Sequence, residues 1–104
     1  MRISILSPAD LGLAVRAARR ASDVRLDDLS ATAGVSKQFT SDVEHGKPTV
    51  RLGLVLKLLS ELGVRLELDI AEEAARELTA LRAKQSVPPA GKRVRRRAEP
   101  KQRG

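Results

Sequence analysis

The residues of this sequence with the clearest chemistry lie in one short segment, GVSKQFTSDVEHGKPT, residues 34–49. Lys37, Gln38 and Ser41 carry short or flexible hydrogen-bonding side chains, the types that reach base edges and phosphates in the major groove of DNA. At helical spacing these side chains share one face with Asp42. The segment therefore predicts a helix that presents a polar surface able to read a duplex.

The residues that must position this face follow the pattern of a helix-turn-helix. Gly34 should end the preceding helix, because glycine enters the left-handed region without steric cost. Ser36 can cap the next helix, which we expect to span about Lys37 to His45 and to stop at Gly46. The alternative interpretation is an ordinary helical hairpin whose polar residues simply face solvent.

The opposite face of the reading helix should pack inward through Thr40 and Val43. Its expected neighbours in the preceding helix are Leu29, Ser30 and Ala33, and the small Ser30 would let the two helices cross closely. Thr40 stands where a buried Ile, Val or Leu would be usual. We therefore expect it to weaken the packing somewhat while keeping a β-branched shape.

Caps and hydrophobic spacing predict four more helices. Ser7-Pro8-Ala9-Asp10 is a strong helix start, with a serine cap, a proline at the first helical position and an acid three residues after the cap. Asp23 should end that helix in left-handed geometry. The expected helices are about Pro8–Ala21, Leu26–Ala33, Val50–Leu62 capped by Thr49, and Ala71–Lys84 capped by Asp69 with a Glu72–Arg76 pair. The expected buried stripes are Leu11, Ala14, Val15 and Ala18 in the first helix and Leu52, Val55, Leu56, Leu59 and Leu62 in the fourth.

Residues 64–70, VRLELDI, alternate with a period of two, which predicts a β-strand. A lone strand needs a partner, either residues 2–6 or the same segment of a second copy. We favour the second copy, because an antiparallel pair about a two-fold axis at Leu66 sets Arg65 opposite Glu67 of the mate twice. The expected dimerisation residues are Val64, Arg65, Leu66, Glu67, Leu68 and Ile70.

Composition narrows the function classes. One Phe and no Trp or Tyr among 104 residues leave a core of aliphatic side chains, which suits short helices. The absence of cysteine excludes disulfides, a thiol nucleophile and a thiolate zinc site, and predicts an intracellular, cytoplasmic setting. No apolar run approaches the roughly 20 residues of a membrane span, and the N-terminus lacks a signal-peptide core. Without a nucleophile–base set or a phosphate loop we expect no enzyme, no cofactor and no metal site.

The net charge of +7 is unevenly distributed. Residues 86–104 hold seven Lys or Arg and one Glu, a net +6, whereas residues 1–85 hold thirteen basic and twelve acidic residues, a net +1. The high pI therefore says little about the folded part. The tail is too polar to fold, and we expect it to be disordered. It could add phosphate contacts, act as a solvating extension or dock to an acidic partner.

Two segments, ILSPADLGLAVRAARR and LSATAGVSKQFTSDVEHGKPTVRLGLVLKLLSELGVRLEL, resemble the Xre family of helix-turn-helix regulators, and more closely its HipB-type antitoxins. The resemblance covers about residues 6–70. It implies a mainly α, lambda-repressor-like DNA-binding domain of four to five helices with a dimer-forming C-terminal β-strand. The extra polar helix and the disordered basic tail follow from the residue patterns described above. The expected boundaries are 1–70 for the domain with its strand, 71–85 for the polar helix and 86–104 for the tail.

The resemblance also implies a function. It predicts a homodimeric, sequence-specific repressor that binds operator DNA, pairs with a HipA-type kinase toxin and represses its own operon. It further implies an inner salt bridge between Arg19 and Glu44. The expected DNA-contacting residues are Arg25, Ser36, Lys37, Gln38, Ser41, Asp42, Lys47 and Arg51.

Two departures from the family pattern bear on that function. The family usually opens helix 2 with Thr-Gln, whose glutamine contacts DNA, but here Arg25 and Leu26 occupy those positions. Arg25 could supply a phosphate contact instead. Asp42 is repelled by phosphates, so we expect it to accept from a cytosine amine or to orient Lys37 or Arg19. Two alternatives stay open: a free-standing regulator without a toxin, and a protein-interaction module that has lost DNA binding.

Overall fold

The computed structural model describes residues 1–85, and the regular secondary structure in this range is helical. In chain order the helices are α1 (Pro8–Ala21), α2 (Leu26–Ala33), α3 (Lys37–Glu44), α4 (Leu52–Glu61) and α5 (Glu72–Gln85). By its internal contacts the chain divides into a first unit, Met1–Glu67, which holds α1–α4, and a second unit that begins at Leu68 and holds α5. None of these five helices is long and apolar enough to cross a bilayer. The prediction of a mainly helical chain is confirmed.

Local capping explains why α1 has the predicted bounds. The Ser7 hydroxyl accepts a hydrogen bond from the Asp10 backbone N–H at 3.1 Å, and the Asp10 carboxylate reaches back to accept from the Leu6 N–H at 3.0 Å. These bonds satisfy amides that have no partner inside the helix. After the C-terminal end, Asp23 has a φ of 56°, the left-handed geometry expected of it.

The core of the first unit differs from prediction in α4. Leu52 and Leu56 were expected to be buried but are 64% and 43% exposed, whereas Leu58 is fully buried. The buried stripe runs instead through Val55, Leu58 and Leu59, which are spaced three and four residues apart. Helix α4 begins at Leu52 with Arg51 as its N-cap, so the predicted cap at Thr49 is wrong. The buried apolar residues are Val15, Leu29, Ala33, Val43, Val55, Leu58 and Leu59.

The β-strand predicted over Val64–Ile70 is not supported, because these residues carry no regular secondary structure in the described chain. A strand exists only when another backbone segment completes its hydrogen bonds. Residues 2–6 approach through one ion pair, Arg2 Nε to Glu67 Oε1 at 3.7 Å, but they also lack strand structure. Within the segment Arg65 Nη2 lies 3.3 Å from Glu67 Oε2, so these two charges share a side.

The second unit is a polar helix. It begins at Glu72, so Asp69 lies too far upstream to be its cap. The predicted Glu72–Arg76 pair is present at 3.4 Å between Oε2 and Nη1, and α5 has no buried residue. The tail predicted to be disordered, residues 86–104, lies outside the described residues.

Two buried hydroxyl groups join α2 to α3. The Ser30 hydroxyl lies 2.6 Å from the Thr40 hydroxyl and 2.9 Å from the Leu26 carbonyl oxygen, and the Thr40 hydroxyl lies 3.3 Å from the Ser36 carbonyl oxygen. Both side chains are almost completely buried. Thr40 therefore gains a hydrogen-bond partner across the motif, which offsets the packing loss expected from replacing an aliphatic residue.

A double-mutant cycle should reveal this pairing. We expect Ser30→Ala and Thr40→Val each to lower the free energy of unfolding by about 1 kcal/mol, because each leaves a buried hydroxyl with fewer partners. The double variant should lose no more than either single variant, giving a coupling of about 1 kcal/mol in urea unfolding. Thr32→Val is the matched control, because the Thr32 hydroxyl bonds only at the surface. Additive effects of Ser30→Ala and Thr40→Val would contradict the pairing.

Candidate nucleic-acid interface

Helices α2 and α3 form the predicted helix-turn-helix, and backbone geometry fixes its corner. Gly34 adopts a φ of 73°, and its N–H donates to the Ala31 carbonyl oxygen at 3.2 Å. The Val35 N–H donates to the Ser30 carbonyl oxygen at 3.0 Å. Ser36 then caps α3, because its hydroxyl accepts from the Phe39 N–H at 3.0 Å. The corner therefore satisfies the helix ends that it joins.

The two faces of α3 are well separated. Thr40 and Val43 are buried against the core, whereas Lys37 and Gln38 are exposed at the N-terminal end. Ser41 is partly exposed on the same outer side. The structure thus places the N-terminal half of α3 where its polar side chains can reach a ligand.

The C-terminal end of α3 is capped by the single histidine of the chain. The His45 Nδ1 atom lies 2.8 Å from the Ser41 carbonyl oxygen, so this nitrogen carries the proton and donates. The contact satisfies a carbonyl at the negative end of the helix. The same ring nitrogen lies 3.3 Å from the Ser41 hydroxyl.

Two aspartates, Asp27 and Asp42, contact the exposed polar side chains of the helix-turn-helix. In the Asp27 cluster, Asp27 Oδ2 lies 3.4 Å from Lys37 Nζ and 3.7 Å from Arg25 Nη2. In the Asp42 cluster, Asp42 Oδ1 accepts from Gln38 Nε2 at 2.8 Å, and Asp42 Oδ2 lies 3.6 Å from Lys47 Nζ. Asp42 thus contacts Gln38 and Lys47 rather than the expected Lys37 or Arg19.

Helix α1 holds the C-terminal end of α3 through Glu44, which is only 3% exposed. Arg19 donates to both carboxylate oxygens of Glu44, from Nε at 2.6 Å and from Nη2 at 3.0 Å. Arg16 Nη2 donates to the Glu44 backbone carbonyl oxygen at 3.1 Å, and Arg16 Nε lies 3.7 Å from Oε1. The hydrogen bond to Glu44 raises the pKa of the Arg19 guanidinium above its ordinary value, although burial opposes the rise.

Two glycines allow α1 to approach α3 this closely. A Cβ atom on Gly12 would lie 2.4 Å from the Val43 carbonyl oxygen and 2.7 Å from that of Glu44. A Cβ atom on Gly46 would lie 2.8 Å from the Ala9 Cα atom, and Gly46 also has a φ of 79°. Backbone therefore packs against backbone at this crossing, and a side chain at Gly12 has no space.

Comparison with known proteins identifies a helix-turn-helix relative of this chain. The chain is 42% identical over 64 residues to the uncharacterised helix-turn-helix transcriptional regulator y4mF of Sinorhizobium fredii. The match spans 62% of this chain and 84% of that protein. The chain belongs to the Xre family of helix-turn-helix transcriptional regulators. No protein-family model matches the chain.

Solved structures place this Xre-family regulator in the HipB fold. A complex of HipB with an O4 20mer superposes with a TM-score of 0.62 at 22% identity, covering 68% of this chain and 100% of that chain. A complex of HipA, HipB and O2-O3 gives a TM-score of 0.62 at 21% identity, with the same coverage of both chains. At this identity the likeness establishes the fold alone.

The structure brings together most of the contact residues expected for this Xre-family regulator. Arg25 meets Lys37 through Asp27, and Gln38 meets Lys47 through Asp42. Ser36 is occupied as the cap of α3, and Arg51 is exposed at the N-cap of α4. Ser36 and Arg51 therefore belong to neither aspartate cluster, and they adjoin these clusters only in the sequence.

Sequence reasoning missed three residues that shape this surface. Asp27 lies in the first turn of α2, and its carboxylate joins Lys37 to Arg25. Arg16 lies in α1 and reaches both the carboxylate and the backbone carbonyl of Glu44. Gly12 gave a signal that was not used, because a glycine inside a helix usually has a packing reason.

Proposed function

We propose that this Xre-family regulator is a sequence-specific repressor that binds operator DNA through the outer face of α3. The observation that supports this most directly is the exposure of Lys37 and Gln38 at the N-terminal end of a helix whose other face is buried. The side chain of Lys37 is 69% exposed, which leaves its ammonium group accessible to a duplex. A recognition helix of this kind enters the major groove with its N-terminal residues toward the bases.

The roles of the contact residues follow from their chemistry. Gln38 and Ser41 are the candidates for base edges, since an amide can pair with adenine and a hydroxyl can pair with several bases. The cations Arg25, Lys37 and Lys47 are the candidates for phosphates, where each neutralised phosphate releases counterions and strengthens binding at low salt. Arg51 and the Ser36 cap complete the proposed set.

The repressor is proposed to act as a homodimer that pairs through residues 64–70. Support comes from the exposed apolar side chains Leu66, Leu68 and Ile70 in a segment without regular structure in the single chain. A second copy would supply the backbone partners that the described part of one chain does not. Two copies of α3 would then contact two half-sites of an operator, as expected for a two-fold assembly.

The finer proposal is an antitoxin that binds a HipA-type kinase toxin and represses its own operon. It is supported by the shared fold with a chain of the complex that contains HipA and HipB. The alternative is a free-standing repressor with the same DNA chemistry. An adjacent reading frame that encodes a kinase, and co-purification of its product, would favour the antitoxin.

The decisive test uses Gln38→Ala. Wild-type protein should enrich a defined sequence from a random duplex library, and the bound complex should contain two chains per site. We expect Gln38→Ala to weaken binding to the enriched duplex by about 1–3 kcal/mol, because a bidentate base contact is lost, and to change binding to random duplex little. Gln85→Ala, at the exposed end of α5, is the matched control. Failure of wild-type protein to enrich any sequence would instead favour a protein-interaction module, and unchanged specific binding by Gln38→Ala would exclude Gln38 from the base contacts.

A further inference from the structure

Asp42 lies in an unfavourable position for a surface that contacts DNA. It is an acidic residue in the second half of α3, where it gains nothing from the positive end of the helix dipole and would be repelled by phosphates. Its side chain is only 26% exposed, and both of its carboxylate oxygens are used. The contacts of this carboxylate therefore indicate a positioning role within the surface.

The contact with Gln38 distinguishes the two ends of the glutamine amide. An ionised carboxylate only accepts hydrogen bonds, so the Gln38 NH₂ group must face Asp42 Oδ1, at 2.8 Å. The reversed amide would set two oxygen atoms against each other. The NH₂ group retains a second hydrogen and the amide oxygen stays free, which is the donor–acceptor pair that recognises the N7 and N6 atoms of adenine.

We propose that Asp42 is a specificity-determining positioning residue, which fixes the Gln38 amide in the orientation that reads an adenine. This inference rests on the proposed DNA-binding function and assigns the base that Gln38 recognises. Lys47, whose Nζ lies 3.6 Å from Asp42 Oδ2, compensates the carboxylate charge near the phosphates. Loss of Asp42 should therefore have two separate effects: a higher affinity for any duplex, and a weaker preference for adenine over other bases at the Gln38 position.

The experiment measures both effects in the full chain. The duplex enriched by wild-type protein is varied at the base pair where Gln38→Ala relaxes the preference, and dissociation constants are measured for wild type, Asp42→Ala, Asp42→Asn, Gln38→Ala and Gln38→Ala/Asp42→Ala. Asp42→Asn is the matched variant, because its amide oxygen can still accept from Gln38 while the charge is absent. Circular dichroism melting shows that each variant is folded before binding is compared.

We expect wild type to prefer adenine at that position. Asp42→Ala should reduce the preference by about fivefold to tenfold, within the range that a bidentate base contact can supply, while binding random duplex more tightly than wild type. Asp42→Asn should keep most of the preference and show the same general gain in affinity. In the Gln38→Ala background, Asp42→Ala should leave the remaining preference unchanged.

Three results would overturn the inference while wild type still enriches a defined sequence. The first is a preference for a base other than adenine at the Gln38 position. The second is an unchanged preference in Asp42→Ala. The third is an equal loss on adding Asp42→Ala with or without Gln38, which would mean that Asp42 acts independently on a base of its own. If wild-type protein enriches no sequence, the proposed function itself is wrong.

Discussion

Gly12→Ala is expected to lower the free energy of unfolding by about 2–3 kcal/mol, because overpacking against rigid neighbours typically has an effect of this size. The new methyl group would lie 2.4 Å and 2.7 Å from two backbone carbonyl oxygens of α3. Neither atom is the end of a flexible side chain, so α1 and α3 must move apart. Urea unfolding monitored by circular dichroism measures the change.

Gly53→Ala is the matched control for this prediction. Gly53 also lies in a helix, but a Cβ atom there has no neighbour within 4 Å. We expect the free energy of unfolding of this variant to rise by about 0.5 kcal/mol, since alanine reduces the conformational freedom of the unfolded chain. The change in the free energy of unfolding should thus have opposite signs at Gly12 and Gly53. A gain in stability for Gly12→Ala would show that the crossing tolerates a side chain.

Glu44→Gln is expected to lower the free energy of unfolding by about 3 kcal/mol, the usual effect of removing one partner from a buried ion pair. The Glu44 carboxylate accepts two hydrogen bonds from Arg19 and lies close to Arg16. A neutral amide leaves the partly buried arginine charges without compensation. For a domain of this size the melting temperature should fall by more than about 10 °C, which calorimetry can measure.

Glu61→Gln is the matched control, because it makes the same chemical change at an exposed position of α4 and should alter the free energy of unfolding by less than about 0.5 kcal/mol.

The raised pKa of Arg19 predicts how the stability of the fold depends on pH. A group whose pKa is higher in the folded protein stabilises it at all pH values below the unfolded pKa and loses that effect only at higher, strongly alkaline pH. The stability contributed by the Arg19 charge should therefore be constant through neutral pH.

Elements with local signals were predictable from the sequence. The bounds of α1 and α2 follow from the Ser7 cap and from Gly34, which act within a few residues of themselves. The buried Thr40 and Val43 and the exposed Lys37 and Gln38 follow from helical spacing alone. The polar outer face of α3 could therefore be predicted from the sequence.

Features that depend on distant contacts were not predictable in the same way. The buried stripe of α4 was misplaced because Leu52, Leu56 and Leu58 are chemically alike, and only the packing against other helices selects among them. The strand at residues 64–70 was predicted from a pattern that needs a second backbone, which residues 1–85 of a single chain do not provide. Asp42 contacts Gln38 and Lys47 because of the direction of its side chain, which the position of Asp42 in the sequence does not specify.

The crossing of α1 with α3 at Gly12 and Glu44 also sets how far Gln38 can reach. Helix α3 has eight residues and is therefore about 12 Å long. A tilt of roughly 5° at its C-terminal end would displace its N-terminal end by about 1 Å, more than the roughly 0.5 Å range over which a good hydrogen bond forms. Under the proposed function, residue changes in α1, which carries none of the proposed base contacts, would therefore alter which sequences the protein prefers.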